Sequence, residues 1–122
     1  MTLRDRIIPP DPRAIGDEPD YRFTLANERT FLAWIRTALA LAAGGLASVG
    51  LLDEFPGVDV LGLGLLALAF LTAASAYRRW ALAERSMRTN APLPSSRLPI
   101  LMAIGTAFVA LAAAVILVVD AT

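Results

Sequence analysis

The stretch from Leu98 to Val119 reads LPILMAIGTAFVALAAAVILVV and holds no charged residue in 22 positions. At about 1.5 Å per residue, a helix of that length covers roughly the 30 Å of a bilayer's hydrocarbon core. A helix that is apolar on every side belongs in lipid or in the interior of a much larger protein than this one. Two further blocks repeat the pattern. Phe31 to Leu52 carries a single charge, Arg36, and Val60 to Tyr77 carries none. Three such blocks in 122 residues, 57% of them hydrophobic, predict an all-α membrane protein with three transmembrane helices, at about 31–52, 60–77 and 98–119.

The segments between the blocks read as connections. Asp53-Glu54-Phe55-Pro56-Gly57-Val58-Asp59 is short, acidic and broken by Pro-Gly, which predicts a tight turn between antiparallel helices. Ala81 to Arg97 is polar. Its first part, to about Met87, keeps a helical pattern with Glu84 and Arg88 spaced for an ion pair, and Pro92 and Pro94 stop it. Residues 1–20 are polar and interrupted by Pro9, Pro10, Pro12 and Pro19; they predict a flexible tail that buries little and lacks the apolar core of a signal peptide. The expected plan is therefore a tail, 1–20, and a transmembrane domain, 21–122, with Asp20 or Thr24 as the first helix cap. Small residues mark close helix contacts in lipid. They form stripes at Ala40, Gly44 and Ser48, at Gly62, Gly64, Ala67 and Ala74, and at Ala103, Ala107, Ala110 and Ala114. Such stripes serve packing within one chain or between copies.

All eleven basic residues are arginine, and eleven acids balance them. A neutral total gives no general attraction to nucleic acid. The absence of cysteine and histidine removes disulfides, iron–sulfur ligation, the common zinc sites and the usual bases and nucleophiles of membrane hydrolases. Glu28, Asp53, Glu54, Asp59 and Glu84 are scattered, so neither an acid/base pair nor a metal cluster emerges. No enzymatic activity, metal or cofactor is expected.

The arginines are asymmetrically placed. Arg4, Arg6, Arg13, Arg22 and Arg29 precede the first block, and Arg78, Arg79, Arg85, Arg88 and Arg97 follow the second; the first loop and the C-terminus have none. The positive-inside rule then predicts the N-terminus and second loop in the cytoplasm and the C-terminus outside. Trp34, Tyr77 and Trp80 are the expected aromatic anchors at the membrane interface.

Arg22, Arg29 and Arg36 are each seven residues apart, so an unbroken helix places them on nearly one face. Arg78 and Arg85 repeat the spacing on the second helix, with Arg79 and Arg88 beside them. Two arginine faces at one membrane surface can form an anion-attracting vestibule, with Glu28 as the compensating acid. They can equally be topology signals and headgroup anchors, Arg36 snorkelling to the interface from roughly 7.5 Å inside the span.

The run Leu25-Ala26-Asn27-Glu28-Arg29-Thr30-Phe31-Leu32-Ala33-Trp34-Ile35-Arg36-Thr37 closely resembles the first-helix motif of the YidH-like family of small bacterial inner-membrane proteins, a domain of unknown function. That family is similar in turn to the small membrane subunit of the eukaryotic vacuolar transporter chaperone complex. The resemblance covers nearly all of the chain after about Asp20. It implies a multi-pass protein of the bacterial plasma (inner) membrane. From the eukaryotic relative it further implies five subunits of three helices each, around a basic pore for polyphosphate. The residues matching that basic motif are Arg29, in Asn-Glu-Arg-Thr, and Arg78 or Arg79, in Tyr-Arg-Arg-Trp. Arg36 departs from the relative, and no polymerase domain is attached.

Two functions stand open on these residues. One is a homo-oligomeric channel or binding site for phosphate or polyphosphate, of three to five subunits. The other is an accessory membrane protein that stabilises a partner, its arginines serving topology and lipid anchoring. On orientation the expectation is definite: a C-terminal reporter active only in the cytoplasm stays silent, and strong signal from it would reverse the topology.

Overall fold

A computed structural model describes residues 2–122. Met1, the first residue of the expected tail, lies outside them. Four α-helices follow in order: α1 (Leu3–Ile7), α2 (Tyr21–Leu51), α3 (Val58–Arg88) and α4 (Leu98–Ala121), with a short 3-10 turn at Pro12–Ala14. Three of them are long and apolar enough to cross a membrane.

Each long helix starts and stops where local chemistry dictates. Asp20 caps α2: its carboxylate accepts from the Arg22 backbone N–H at 2.9 Å. Thr24, the other candidate cap, is used elsewhere. α2 then runs 31 residues without a proline. α3 ends where Asn90 takes a left-handed conformation, φ 55°, and the Ala91 N–H bonds back to the Ser86 carbonyl at 2.9 Å. That is the Schellman way of satisfying terminal carbonyls, and Pro92 and Pro94 follow it. α2 starts ten residues before the first apolar block and α3 ends eleven after the second. Hydropathy marks the bilayer, not the helix; helical hydrogen bonding continues until a breaker intervenes.

By contact density the chain falls into two compact units: residues up to Ile35 with Ala73–Ser96, and Arg36–Thr72 with Arg97–Thr122. In the second unit α3 is central. It meets α2 where Gly45 and Gly62 face each other: a Cβ on Gly45 would lie 2.9 Å from the Gly62 carbonyl oxygen, and one on Gly62 would lie 3.1 Å from that of Gly45 and collide with Val49. It meets α4 at Thr72, whose fully buried hydroxyl donates to the Leu68 carbonyl at 2.7 Å and contacts Met102 Sδ at 3.0 Å. The helix crossing thus falls at Gly45 instead of the expected Gly44 stripe. Ala103, Ala107, Ala110 and Ala114 remain exposed on α4.

In the first unit the N-terminal part of α2 lies on the C-terminal part of α3, and the tail lies against α3. The expected flexible tail is a strap. Thr2 and Asp5 form a reciprocal capping box on α1. Arg78 Nε donates to the Arg6 carbonyl at 3.0 Å; Arg88 Nε and Nη2 donate to the carbonyls of Ile15 (2.8 Å) and Arg13 (3.2 Å); and the Asp17 N–H returns to the Arg88 carbonyl at 3.0 Å. Pro12 is buried. Composition missed this because the strap is held by guanidinium-to-backbone bonds and not by apolar burial. The expected Glu84–Arg88 ion pair is absent among the described residues, since Arg88 is engaged with the strap and Glu84 turns inward.

Gly45→Ala and Gly62→Ala should each destabilise the protein by roughly 1–3 kcal/mol, because backbone faces backbone there and neither side can yield. Gly50→Ala, with nothing within 4 Å of the added carbon, should change stability by no more than about 0.5 kcal/mol. Thermal unfolding in mild detergent, followed by helical circular dichroism, separates the two; equal melting of all three would remove the glycine contact from the account.

Candidate functional site

α2 packs with a stripe formed by Asn27, Ala38 and Gly45, flanked by Phe31, Trp34 and Leu41. At 100° per residue, Arg22 and Arg29 fall roughly 140–160° from Asn27, and Arg36 roughly 160–180° from Ala38 and Gly45, away from the packed side. All three are exposed. Arg22 stays at the helix cap, 4.0 Å from an Asp20 carboxylate oxygen and 6.0 Å from the Tyr21 ring centroid. Arg29 and Arg36 form no ion pair among the described residues, where the only pairs are Arg13–Asp11 and Arg22–Asp20.

The arginines of α3 divide. Arg78 and Arg88 hold the strap. Arg85 is exposed and shares the Arg78 face; Arg79 is half-buried on another. The expected single cluster is therefore two latching residues, one free cation and one partly covered one. Gly16 completes the latch. Its φ is +62°, and a Cβ there would collide with the Arg88 carbonyl, so only glycine lets the strap close on the end of α3. At the 3-10 turn the Asp11 carboxylate accepts from the Arg13 N–H at 3.0 Å and pairs with its guanidinium. The backbone bond, then the side-chain bond, hold the Asp11 carboxyl below its ordinary pKa. This local support is present at neutral pH and is lost as pH falls through that lowered value. The same pairing raises Arg13, with a smaller contribution from the charge of Glu28.

Inside the first unit, polar contacts join α2 to α3. Asn27 Nδ2 donates to the Trp80 carbonyl at 3.1 Å, and the Thr24 hydroxyl donates to Glu84 Oε1 at 3.3 Å. Glu84 is only 2% exposed, and its Oε2 has no hydrogen-bond partner. Sequence reasoning pairs Glu84 with Arg88 and counts Asn27 among the polar groups near the arginine ladder, whereas Asn27 turns to α3. The available signal was spacing: Thr24, Asn27 and Phe31 lie on one face, as do Ala76, Trp80, Ala81 and Glu84, so the polar members face each other inside a helix pair.

Glu28 does not join the arginine ladder. With Phe31, Leu32, Tyr77 and Trp80 it lines a cleft of about 360 Å³. The Tyr77 and Trp80 rings sit 5.9 Å apart, tilted by 35°. Trp34, the third expected anchor, is half-buried on α2. No group of three or more potential metal-ligating side chains occurs among the described residues.

These features define a small polytopic membrane protein whose polar side chains gather at the ends of its first two long helices. The chain belongs to the DUF202 family, a domain of unknown function, whose model matches residues 22–86. It is 50% identical over 107 residues to the uncharacterized protein Rv2272 of Mycobacterium tuberculosis, covering 85% of this chain and 88% of that relative. It is 45% identical over 83 residues to the inner membrane protein YidH of Escherichia coli, covering 66% of this chain and 72% of the relative. The YidH-like resemblance of the Asn-Glu-Arg-Thr region is thus confirmed, and with the three spanning helices it makes this an inner-membrane protein. No solved structure matches the chain.

The latch makes a direct prediction. Arg88→Ala removes two guanidinium bonds and Gly16→Val prevents closure, so each should open the strap by roughly 1 kcal/mol and speed tryptic cleavage at Arg4, Arg6 and Arg13 about fivefold. Helix content should hold. Cleavage rates equal to the parent's would mean that these bonds do not keep the strap in place.

Proposed function

We propose that the chain is a homo-oligomeric, anion-binding membrane protein, and that Arg29 and Arg36 of α2 supply its binding face. The observation that carries this reading is the pair itself: two exposed guanidiniums, seven residues apart, opposite the packed stripe of α2 and without an acidic partner. A charged arginine inside a span costs on the order of 3 kcal/mol on insertion scales unless something meets it. Convergence of several α2 faces on an axis holding phosphate oxygens meets it, since guanidinium binds phosphate through paired N–H groups. Arg22, Arg79 and Arg85 add positive field near the binding face, and Glu28 offsets part of it. Phosphate or polyphosphate is the anion class implied by the likeness to the chaperone subunit. The same likeness favours five copies within a range of three to five, with α4 toward lipid. The most apolar stretch of α4, with no residue buried within the chain, suits that outer position. The orientation is N-terminus in and C-terminus out. No enzymatic step, cofactor or nucleic-acid partner enters this reading.

A second reading, an accessory protein that steadies a partner complex, has one observation in its favour. Arg78 and Arg88 are spent on the chain's own backbone, which is structural service. Arg36 would then snorkel, because helical side chains lean toward the helix N-terminus.

The test is phosphate and polyphosphate binding, with ion flux in liposomes, for the parent and Arg36→Ala at two salt concentrations. Binding should weaken roughly tenfold on loss of a charge-assisted pair and fall with added salt. Membrane insertion should be intact or easier. Identical, salt-insensitive behaviour of the two proteins would leave the accessory reading in place, and a strictly monomeric mass in mild detergent would remove the oligomer.

A further inference from the structure

The cleft lined by Glu28, Phe31, Leu32, Tyr77 and Trp80 has a chemistry opposite to that of the arginine face. Glu28, Phe31 and Leu32 share one side of α2 at i, i+3 and i+4 spacing; Tyr77 and Trp80 share one side of α3 at i, i+3. Glu28 is exposed and has no ion pair among the described residues, so its carboxyl group is left to a partner from outside the chain. The faces of the tilted Tyr77–Trp80 pair are electron-rich and attract a cation most strongly where water is scarce. The cleft lies at the border of the apolar runs: Phe31 begins that of α2, Tyr77 ends that of α3, and Glu28 stands about one turn, roughly 4.5 Å, to the polar side of Phe31.

The remaining wall distinguishes a soluble cation from an amphiphile. Leu32 is 58% exposed and Tyr77 39%, so the cleft opens outward from the helix pair at the level of the membrane interface. A free ammonium ion gains nothing from Leu32. A lipid with an ammonium headgroup places its charge against Glu28 and the rings and its first methylenes along Leu32 and Phe31. We propose that this cleft is a binding site for the headgroup of an ammonium-bearing phospholipid, held by the Glu28 carboxylate and the Tyr77–Trp80 pair. Glu28 enters the anion reading only as a compensating charge, and the lipid preference of the cleft stands whether or not the arginine face binds phosphate.

The experiment uses the full chain in mild detergent with equimolar phosphatidylethanolamine and phosphatidylglycerol of matched acyl chains, read by native mass spectrometry. Retention of the ammonium lipid should exceed that of the glycerol lipid by roughly tenfold, and Glu28→Gln and Tyr77→Leu should each reduce the preference at least about fivefold. Glu28 is exposed and makes no bond that holds the fold, so Glu28→Gln should keep its helix content. A second measurement is independent of detergent. In bilayers, with Trp34→Phe leaving Trp80 as the only tryptophan, brominated phosphatidylethanolamine should quench its fluorescence more than brominated phosphatidylglycerol, and Glu28→Gln should abolish the difference. Equal retention or quenching by the two lipids overturns the proposal. So does displacement of the lipid by free ethanolamine at equal concentration, which would make the site one for a soluble cation. Loss of self-association in Glu28→Gln with lipid preference unchanged would also overturn it, assigning the cleft to an arginine of a second copy.

Discussion

The structure depends on the close approach of α2 and α3 at Gly45 and Gly62. Lipid chains are as apolar as leucine, so helices in a bilayer gain little from burying apolar side chains against each other. What holds them is short-range packing, and it requires backbones to come near. The missing side chains on both helices permit that approach, with carbonyl oxygens close to where side-chain carbons would otherwise stand. The contact fixes how closely α2 approaches α3 there. One stripe of that helix is committed to α3, and whatever lies opposite is turned outward. The exposure of Arg36, in the same unit, follows from where the glycines are.

The first unit joins the same two helices by different chemistry. Asn27 and Thr24 on α2 reach the Trp80 carbonyl and Glu84 on α3. Polar contacts of this kind average well under 1 kcal/mol each even in membranes, but they are directional, and they set rotation where glycines set distance. The strap then sorts the arginines of α3. Arg78 Nε, and Nε and Nη2 of Arg88, donate to tail carbonyls, so part of each guanidinium is committed to the strap, whereas no side-chain bond engages Arg29, Arg36 or Arg85 among the described residues.

Most of the fold was legible because its signals are long. Twenty-two uncharged residues, a Pro-Gly turn and an Asp20 cap are each strong one-dimensional features, and three spanning helices follow from them. The ladder of Arg22, Arg29 and Arg36 was legible for the same reason, since i+7 spacing needs only a continuous helix. The strap was not, because its bonds run from arginines more than 70 positions away to backbone carbonyls, which have no residue signature. The Gly45–Gly62 crossing was half legible: glycine and alanine are so common here that spacing alone selected Gly44, its neighbour. Glu84 misled because an i,i+4 arginine is a reasonable partner on an isolated helix, whereas the tail captures that arginine here.

Glu28 shows why the surface chemistry of α2 points outside the chain. Its possible intrahelical partners at three and four residues are Thr24, Leu25, Phe31 and Leu32, none of them basic. The same positions around Arg29 are Leu25, Ala26, Leu32 and Ala33, and around Arg36 they are Leu32, Ala33, Leu39 and Ala40. No ion pair along the helix is open to any of the three. The adjacent pair Glu28 and Arg29 diverges by about 100°, and Glu28 and Arg36 stand roughly 12 Å apart along the axis. One acid, Glu28, stands with three arginines on α2, and they cannot neutralise one another along the helix. Their neighbours on the helix are apolar, which leaves each charge at a low-dielectric boundary where interactions are stronger than in water. Charges kept apart in this way have no partner on their own helix, which is the property that both the anion reading and the lipid reading of this surface start from.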